Sequence, residues 1–168
     1  LLLLLISLPM MGYEYRVRSI CEDTKGNLWF GTDGGVSEYN GKTFYNYNEK
    51  NGLYSINIFS IIVDKEENLI FGTGRGVYKY YKRIGFVNIT KKQAINNFPI
   101  YTIIQDSKNN YWFGSYGGGV TKYNPKGHPD YQFTNITINE GLSNNRVRTI
   151  IEDKEGNMWF GTDGGGVC

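Results

Sequence analysis

One segment, written four times, limits what this chain can fold into more than any other feature. It reads EDTKGNLWFGTDGG at 22–35, VDKEENLIFGTGRG at 63–76, QDSKNNYWFGSYGG at 105–118 and EDKEGNMWFGTDGG at 152–165. The opening Asp recurs at positions 23, 64, 106 and 153, in steps of 41, 42 and 47 residues. The Gly after the aromatic pair keeps the same rhythm, at Gly31, Gly72, Gly114 and Gly161. Repeats of about 40–50 residues built from short strands are blades of a β-propeller. Helical repeats of that length carry amphipathic stripes at a 3.6-residue period, and no such stripe is visible.

Each unit reads as four strands. In the first, RVRSICE alternates apolar residues and gives the innermost strand. DTKGN is a turn in which the Asp carboxylate can accept backbone N–H bonds and Gly26 supplies a positive φ. LWFGT, VSEYN and TFYNY are the next three strands, separated by the turns DGG and GK. In LWFGT, Trp29 and Gly31 share one face, while Leu28, Phe30 and Thr32 share the other. Blades stack face to face, so both faces can be buried. Trp29, Trp112 and Trp159 therefore read as packing between blades, with Ile70 as the substitute in the second copy. Gly31 and its equivalents let a neighbour come close. A Trp platform for a ligand would not need to recur at a core position of each repeat.

The expected architecture is an all-β propeller fragment of four-stranded antiparallel blades. The blades run at about 16–47, 57–90, 99–138 and 146–168, the last incomplete. About three and a half blades do not close a ring, since closed propellers carry about four to eight. The expectation is a piece of a longer protein whose terminal blades present faces meant for neighbours. Residues 12–168 form the propeller. LLLLLISLPMM at 1–11 has the length of a signal-peptide core and is too short to span a bilayer.

Composition excludes several function classes. A net charge of +2, with no basic cluster among aromatics, implies no nucleic-acid or anionic-membrane partner. GTGRGV at 72–77 follows a strand but leads into another strand, so no helix N-terminus is available for a phosphate. No His, Cys, Asp and Glu cluster has metal-ligand spacing, and neither a metal nor a cofactor is expected. DTKGN and DKEGN lack the alternating oxygens and terminal Glu of a calcium loop. The single histidine, His128, falls in a polar turn. Cys21 aligns with Ile62, Ile104 and Ile151 as a small apolar residue, and Cys168 lies on a different strand, so no disulfide is expected. No nucleophile, base and orienting acid stand together, and no catalytic residue is assigned.

The differences between copies carry more information. The first residue of the innermost strand is Arg16, Asn57, Pro99 and Arg146. Two residues on, the series is Arg18, Phe59, Tyr101 and Arg148. The second turn of each unit carries Asp33, Gly74, Tyr116 and Asp163, with Arg75 beside Gly74. The start of the first strand and the end of the second lie at one end of a hairpin, and the Asp turns lie at the other. The candidate ligand-binding residues are therefore Arg16, Arg18, Asp33, Phe59, Arg75, Tyr101, Tyr116, Arg146, Arg148 and Asp163, on one rim near the central axis. Guanidinium, carboxylate and aromatic groups together suit a polar ligand with flat apolar faces, such as a sugar. The alternative is that these are ordinary solvated loop positions.

The segments VRSICEDTKGNLWFGTDGGVSEYN (17–40) and VRTIIEDKEGNMWFGTDGGGV (147–167) resemble the two-component regulator propeller repeat. NGLYSINI and EGLSNNRV resemble the Gly-Leu-x-x-Asn joint before each such repeat. The second copy departs from the pattern, with Glu67 at the turn glycine and Ile70 at the Trp, so its turn is expected to differ in shape. The D-x-x-G-N-x-W turn also resembles the Asp-box hairpin of sialidases and hairpins of streptogramin-inactivating propeller lyases. The regulator resemblance implies a non-catalytic sensor in the periplasmic or extracytoplasmic part of a bacterial inner-membrane protein. It implies an oligosaccharide ligand, further blades and downstream sensor domains in the same chain, a kinase beyond them, and a homodimer of the full-length protein. The alternatives are a propeller enzyme of glycan hydrolase or lyase type, and a protein-interaction scaffold.

Overall fold

The computed structural model describes residues 15–168; the apolar leader at 1–11 lies outside the described residues. Fifteen strands form four antiparallel sheets. The first contains β1 (Val17–Glu22), β2 (Leu28–Thr32), β3 (Gly35–Tyr39) and β4 (Phe44–Tyr47). The second contains β5 (Ile58–Val63), β6 (Leu69–Thr73), β7 (Gly76–Tyr81) and β8 (Gly85–Asn88). The third contains β9 (Ile100–Gln105), β10 (Tyr111–Ser115), β11 (Val120–Tyr123) and β12 (Phe133–Ile136). The fourth contains β13 (Val147–Glu152), β14 (Met158–Thr162) and β15 (Gly166–Val167). Strands follow chain order within each sheet. The first strands of consecutive sheets, β1, β5, β9 and β13, lie against one another, which makes them innermost. The ring is not closed, and the only helical pieces among the described residues are short 3-10 turns.

Three apolar cores sit between consecutive sheets. Trp29, Val36, Phe71 and Phe86 belong to the first, Ile70, Val77, Ile100 and Phe113 to the second, and Trp112, Val120, Val147 and Ile150 to the third. Glycine at the centre of the second strand lets the next sheet approach. A Cβ on Gly31 would lie 2.7 Å from Ile58 Cγ2, and one on Gly72 would lie 2.7 Å from the Ile100 carbonyl oxygen. Trp29 and Trp112 are buried between sheets, as their register requires. Trp159 is 45 % exposed, because no further sheet of this chain lies against β14. Cys21 is half-buried at the edge of the first core, and both cysteines are free.

The Asp turn locks each hairpin through one carboxylate. Asp106 Oδ1 accepts the backbone N–H groups of Lys108 and Asn110, at 2.9 and 2.7 Å. Its Oδ2 accepts the Asn110 amide and the Trp112 indole N–H, each at 2.8 Å. Asp23 and Asp153 repeat the pattern with Trp29 and Trp159 as indole donors. In the second copy the Ile70 side chain has no donor to offer. The Tyr111 hydroxyl of the third sheet takes the vacancy and donates to Asp64 Oδ2 at 2.6 Å. Burial, and then this bond to a carboxylate, push the Tyr111 phenol pKa up.

The second turn keeps the shape of the others, contrary to expectation. Glu67 adopts φ 64° and its N–H donates to the Asp64 carbonyl at 2.9 Å, as Gly26 does to Asp23 at 3.0 Å. Asn109 does the same in the third copy, at φ 66°. Several hydrogen bonds to one carboxylate over-determine the turn, and they offset the steric cost of a side chain at positive φ.

Tyr111→Phe is expected to cost about 1–3 kcal/mol, because it removes a donor from a buried carboxylate; a urea unfolding series measures it. The turn carboxyls also set an acid limit. Burial alone would raise the pKa of Asp23 and Asp106, but the indole, amide and backbone donors outweigh it and hold both below the usual carboxylate range. The Trp159 indole bond, with those from Asn157 and the backbone, brings Asp153 down to about 2. A depressed native pKa stabilises the fold fully above the unfolded value near ~3.9, and that stability is lost as pH falls through the native value. The melting temperature is therefore expected to hold down to about pH 5 and to fall steeply below ~4; thermal scans by circular dichroism across that range check it.

Candidate functional site

Each innermost strand is irregular at one place. Register shifts separate Val17 from Ser19, Ile58 from Ser60 and Val147 from Thr149, and in the third sheet Gly114 and Ser115 pair with Thr102 and Ile100. The extra residues of these β-bulges are Arg18, Phe59, Tyr101 and Arg148. A bulge bends its strand and re-aims one side chain. Here it does so at the same height in four consecutive sheets.

The four side chains meet in blade order. The Arg18 guanidinium lies 5.1 Å from the Phe59 ring centroid. Phe59 packs edge-on against Tyr101 at 4.7 Å. The Arg148 guanidinium lies 4.9 Å from the centroids of both Tyr101 and Tyr116. Arg146 sits over the same Tyr116 ring at 5.1 Å. The result is a cation–aromatic ladder that is basic at both ends and aromatic in the middle.

The second turn of each unit closes onto the start of the innermost strand, as the hairpin geometry requires. The N–H groups of Gly74, Tyr116 and Asp163 donate to the carbonyls of Asn57, Pro99 and Arg146, at 2.9, 2.9 and 2.8 Å. In the first unit the direction reverses, and the Arg16 N–H donates to Asp33 Oδ1 at 2.9 Å. Asp33 Oδ2 lies 3.7 Å from Arg18 Nη2, and Asp163 accepts a hydrogen bond from Arg148 at 2.8 Å. The Asp163 bond pushes the Arg148 pKa up.

Of the ten sequence-derived candidates, Arg18, Asp33, Phe59, Tyr101, Tyr116, Arg146, Arg148 and Asp163 come together through side chains. Arg16 joins through its backbone. Arg75 is exposed, its carbonyl accepts from the Asn88 amide at 3.0 Å, and no ring or ion-pair contact ties it to the ladder among the described residues. His128 is exposed and pairs with Asp130 at 3.5 Å, remote in the fold from the rim. The bulges were not foreseen; the signal was present in the two-residue offset at which the copies diverge.

The opposite end of the hairpins carries a feature that the sequence did not reveal. A cleft of about 750 Å³ opens between the first and second sheets, lined by Asp23, Trp29, Glu38, Tyr47, Tyr80 and their neighbours.

The family described as two component regulator propeller matches residues 14–34, 94–117 and 141–164. These segments hold the first, third and fourth copies, and the unmatched copy is the one carrying Glu67 and Ile70. Among solved structures the chain is similar to the extracellular domain of an assigned hybrid two component system from B. thetaiotaomicron. The identity is 31 % over 92 % of this chain and 20 % of that one, with a TM-score of 0.78. It is also similar to the extracellular domain of an assigned one component system from the same organism, at 22 % identity over 95 % of this chain and 28 % of the other, with a TM-score of 0.53. Virginiamycin B lyase from Staphylococcus aureus shares the fold at 13 % identity, covering 90 % of this chain and 54 % of the enzyme, with a TM-score of 0.65. The chain thus spans between a fifth and about three tenths of the length of the two extracellular domains. No curated protein matches it.

The side chains of Arg18 and Arg148 are 37 % and 51 % exposed, and exposed ion pairs contribute little to stability. Arg18→Ala and Arg148→Ala are each expected to leave the far-ultraviolet circular dichroism spectrum and the melting midpoint close to those of the parent chain.

Proposed function

The chain belongs to the two-component regulator propeller family, and we infer that it is the ligand-reading part of an extracytoplasmic sensor which recognises an oligosaccharide at the rim ladder. The observation that carries this reading is the ladder itself. Four sheets deliver four side chains to one line by the same bulge, and the fold does not dictate their identity. Tyr101 and Tyr116 offer ring faces and edges to the C–H surface of a pyranose, while the guanidinium groups donate to its hydroxyls. A ligand on the ladder would compete with the resting cation–aromatic contacts and touch several blades at once.

The role is binding rather than turnover. Beside its aromatic rings the ladder carries arginines, which offer donors only, and two aspartates already held by them. The likeness to a lyase concerns the fold. In the full protein, ligand binding would favour one arrangement of the sensor over another and so shift its population toward signalling. A membrane anchor, a downstream kinase and a homodimer belong to that reading. No helix among the described residues is long and apolar enough to cross a membrane.

The test is calorimetric titration of the 168-residue chain with a panel of neutral and acidic plant and host oligosaccharides. At least one is expected to bind, and Arg148→Ala and Tyr101→Ala are each expected to weaken it about tenfold, equivalent to ~1.4 kcal/mol. Unchanged affinity in both folded variants would remove the ladder from the site.

A further inference from the structure

We propose that the cleft between the first and second sheets is a second binding site, for a neutral glycosyl unit, on the face opposite the ladder. The argument rests on where the copies differ. In the first sheet Trp29 pairs with Glu38, which pairs with Tyr45. In the second sheet the same line is Ile70, Lys79 and Val87, and in the third it is Trp112, Lys122 and Thr134. Val36 pairs with Tyr47, where the third sheet has Val120 with Ile136. The first copy alone places a carboxylate and two phenols on the face toward its neighbour.

The consequence is a difference in occupancy. Lys122 lays its ammonium 5.1 Å from the Trp112 ring centroid, and Lys79 lies 5.5 Å from that of Tyr81. Glu38 cannot make such a contact. It accepts the Tyr47 hydroxyl at 2.5 Å instead, and the space over the aromatic floor stays open. That floor is Tyr47 and Tyr80, backed by the buried Trp29, which stacks on Tyr47 at 5.6 Å and tilts against Tyr80 at 5.3 Å. Tyr45 of the first sheet, on the same face as Glu38 and Tyr47, flanks the opening and is 50 % exposed. It presents phenol surface to solvent at the mouth of a concave site.

The charges define the class of ligand. Asp23, Glu38 and Glu67 line the cleft together with Lys25, Lys82 and Arg83, three carboxylates against three cations. Neither an anion nor a cation is selected by that balance. A hydroxyl both donates and accepts, so a polyol can use carboxylates and cations alike while its C–H face covers the rings. A neutral sugar unit meets all three conditions. This site stands independently of the ladder, which lies at the other end of the hairpins.

The experiment follows the amide and indole resonances of the ¹⁵N-labelled 168-residue chain during titration with cellobiose, lactose, mannobiose and digalacturonate. A neutral disaccharide is expected to shift the Trp29 indole N–H resonance. Y45A is expected to weaken that binding at least about fivefold, and Glu38→Gln and Tyr47→Phe by smaller factors, with R148A leaving it unchanged. The proposal is overturned if no neutral disaccharide moves the Trp29 signal, if only digalacturonate does, or if binding survives in the Tyr45→Ala, Tyr47→Phe double variant. Binding that is lost in Arg148→Ala and kept in the tyrosine variants also overturns it, and assigns the sugar to the ladder instead.

Discussion

A single carboxylate per blade organises this fold. The aspartate that opens each turn gathers two backbone N–H groups, a side-chain amide and, on its outer oxygen, an aromatic donor. The turn then has one shape whatever occupies its left-handed position, which is why Glu67 and Asn109 can stand where the other copies have glycine. The aromatic donor brings a large ring into the interface with the next sheet. Local turn chemistry and long-range packing thus share one group, and hairpin register, ring placement and blade spacing depend on it. Charge-assisted bonds suit the task because they hold their geometry at a partly wet surface.

The repeat made the architecture legible before any coordinates. Period, strand alternation and turn residues agreed at each level, and that agreement marks a sequence that specifies one structure. The end of the hairpin on which Arg18 and Asp33 meet was also readable, since it follows from antiparallel pairing alone. What could not be read were relations between copies. Tyr111 occupies a position where other units have Leu or Met, and nothing local says that its hydroxyl serves Asp64 in the preceding blade. The bulges were hidden because a strand with one extra residue looks like a strand. Arg75 stands beside the rim in sequence, yet it is exposed and no ring or ion-pair contact ties it to the ladder among the described residues.

The two ends of the hairpins show how a repeat acquires individuality. At the rim, one bulged position per blade is free of packing duty, and the chain fills it with cations at the outside and rings in the middle. At the opposite end the variation falls on the face between sheets, where Glu38 stands at the position that Lys79 and Lys122 hold in the next two sheets. In both places the scaffold is constant and chemistry enters where repeats are permitted to differ.

The bond from Tyr111 to Asp64 has a bearing on how such a chain can evolve. Arrays of similar units lengthen and shorten by recombination between copies, and a unit that is complete in itself can be gained or lost singly. The second blade is not complete in itself: its turn borrows a donor from the third. Deleting or exchanging the third unit alone would leave Asp64 with the donors of its own turn and without the phenol, whereas moving the two together would keep the full set. Over this stretch a pair of blades therefore carries a completed turn that neither blade carries alone.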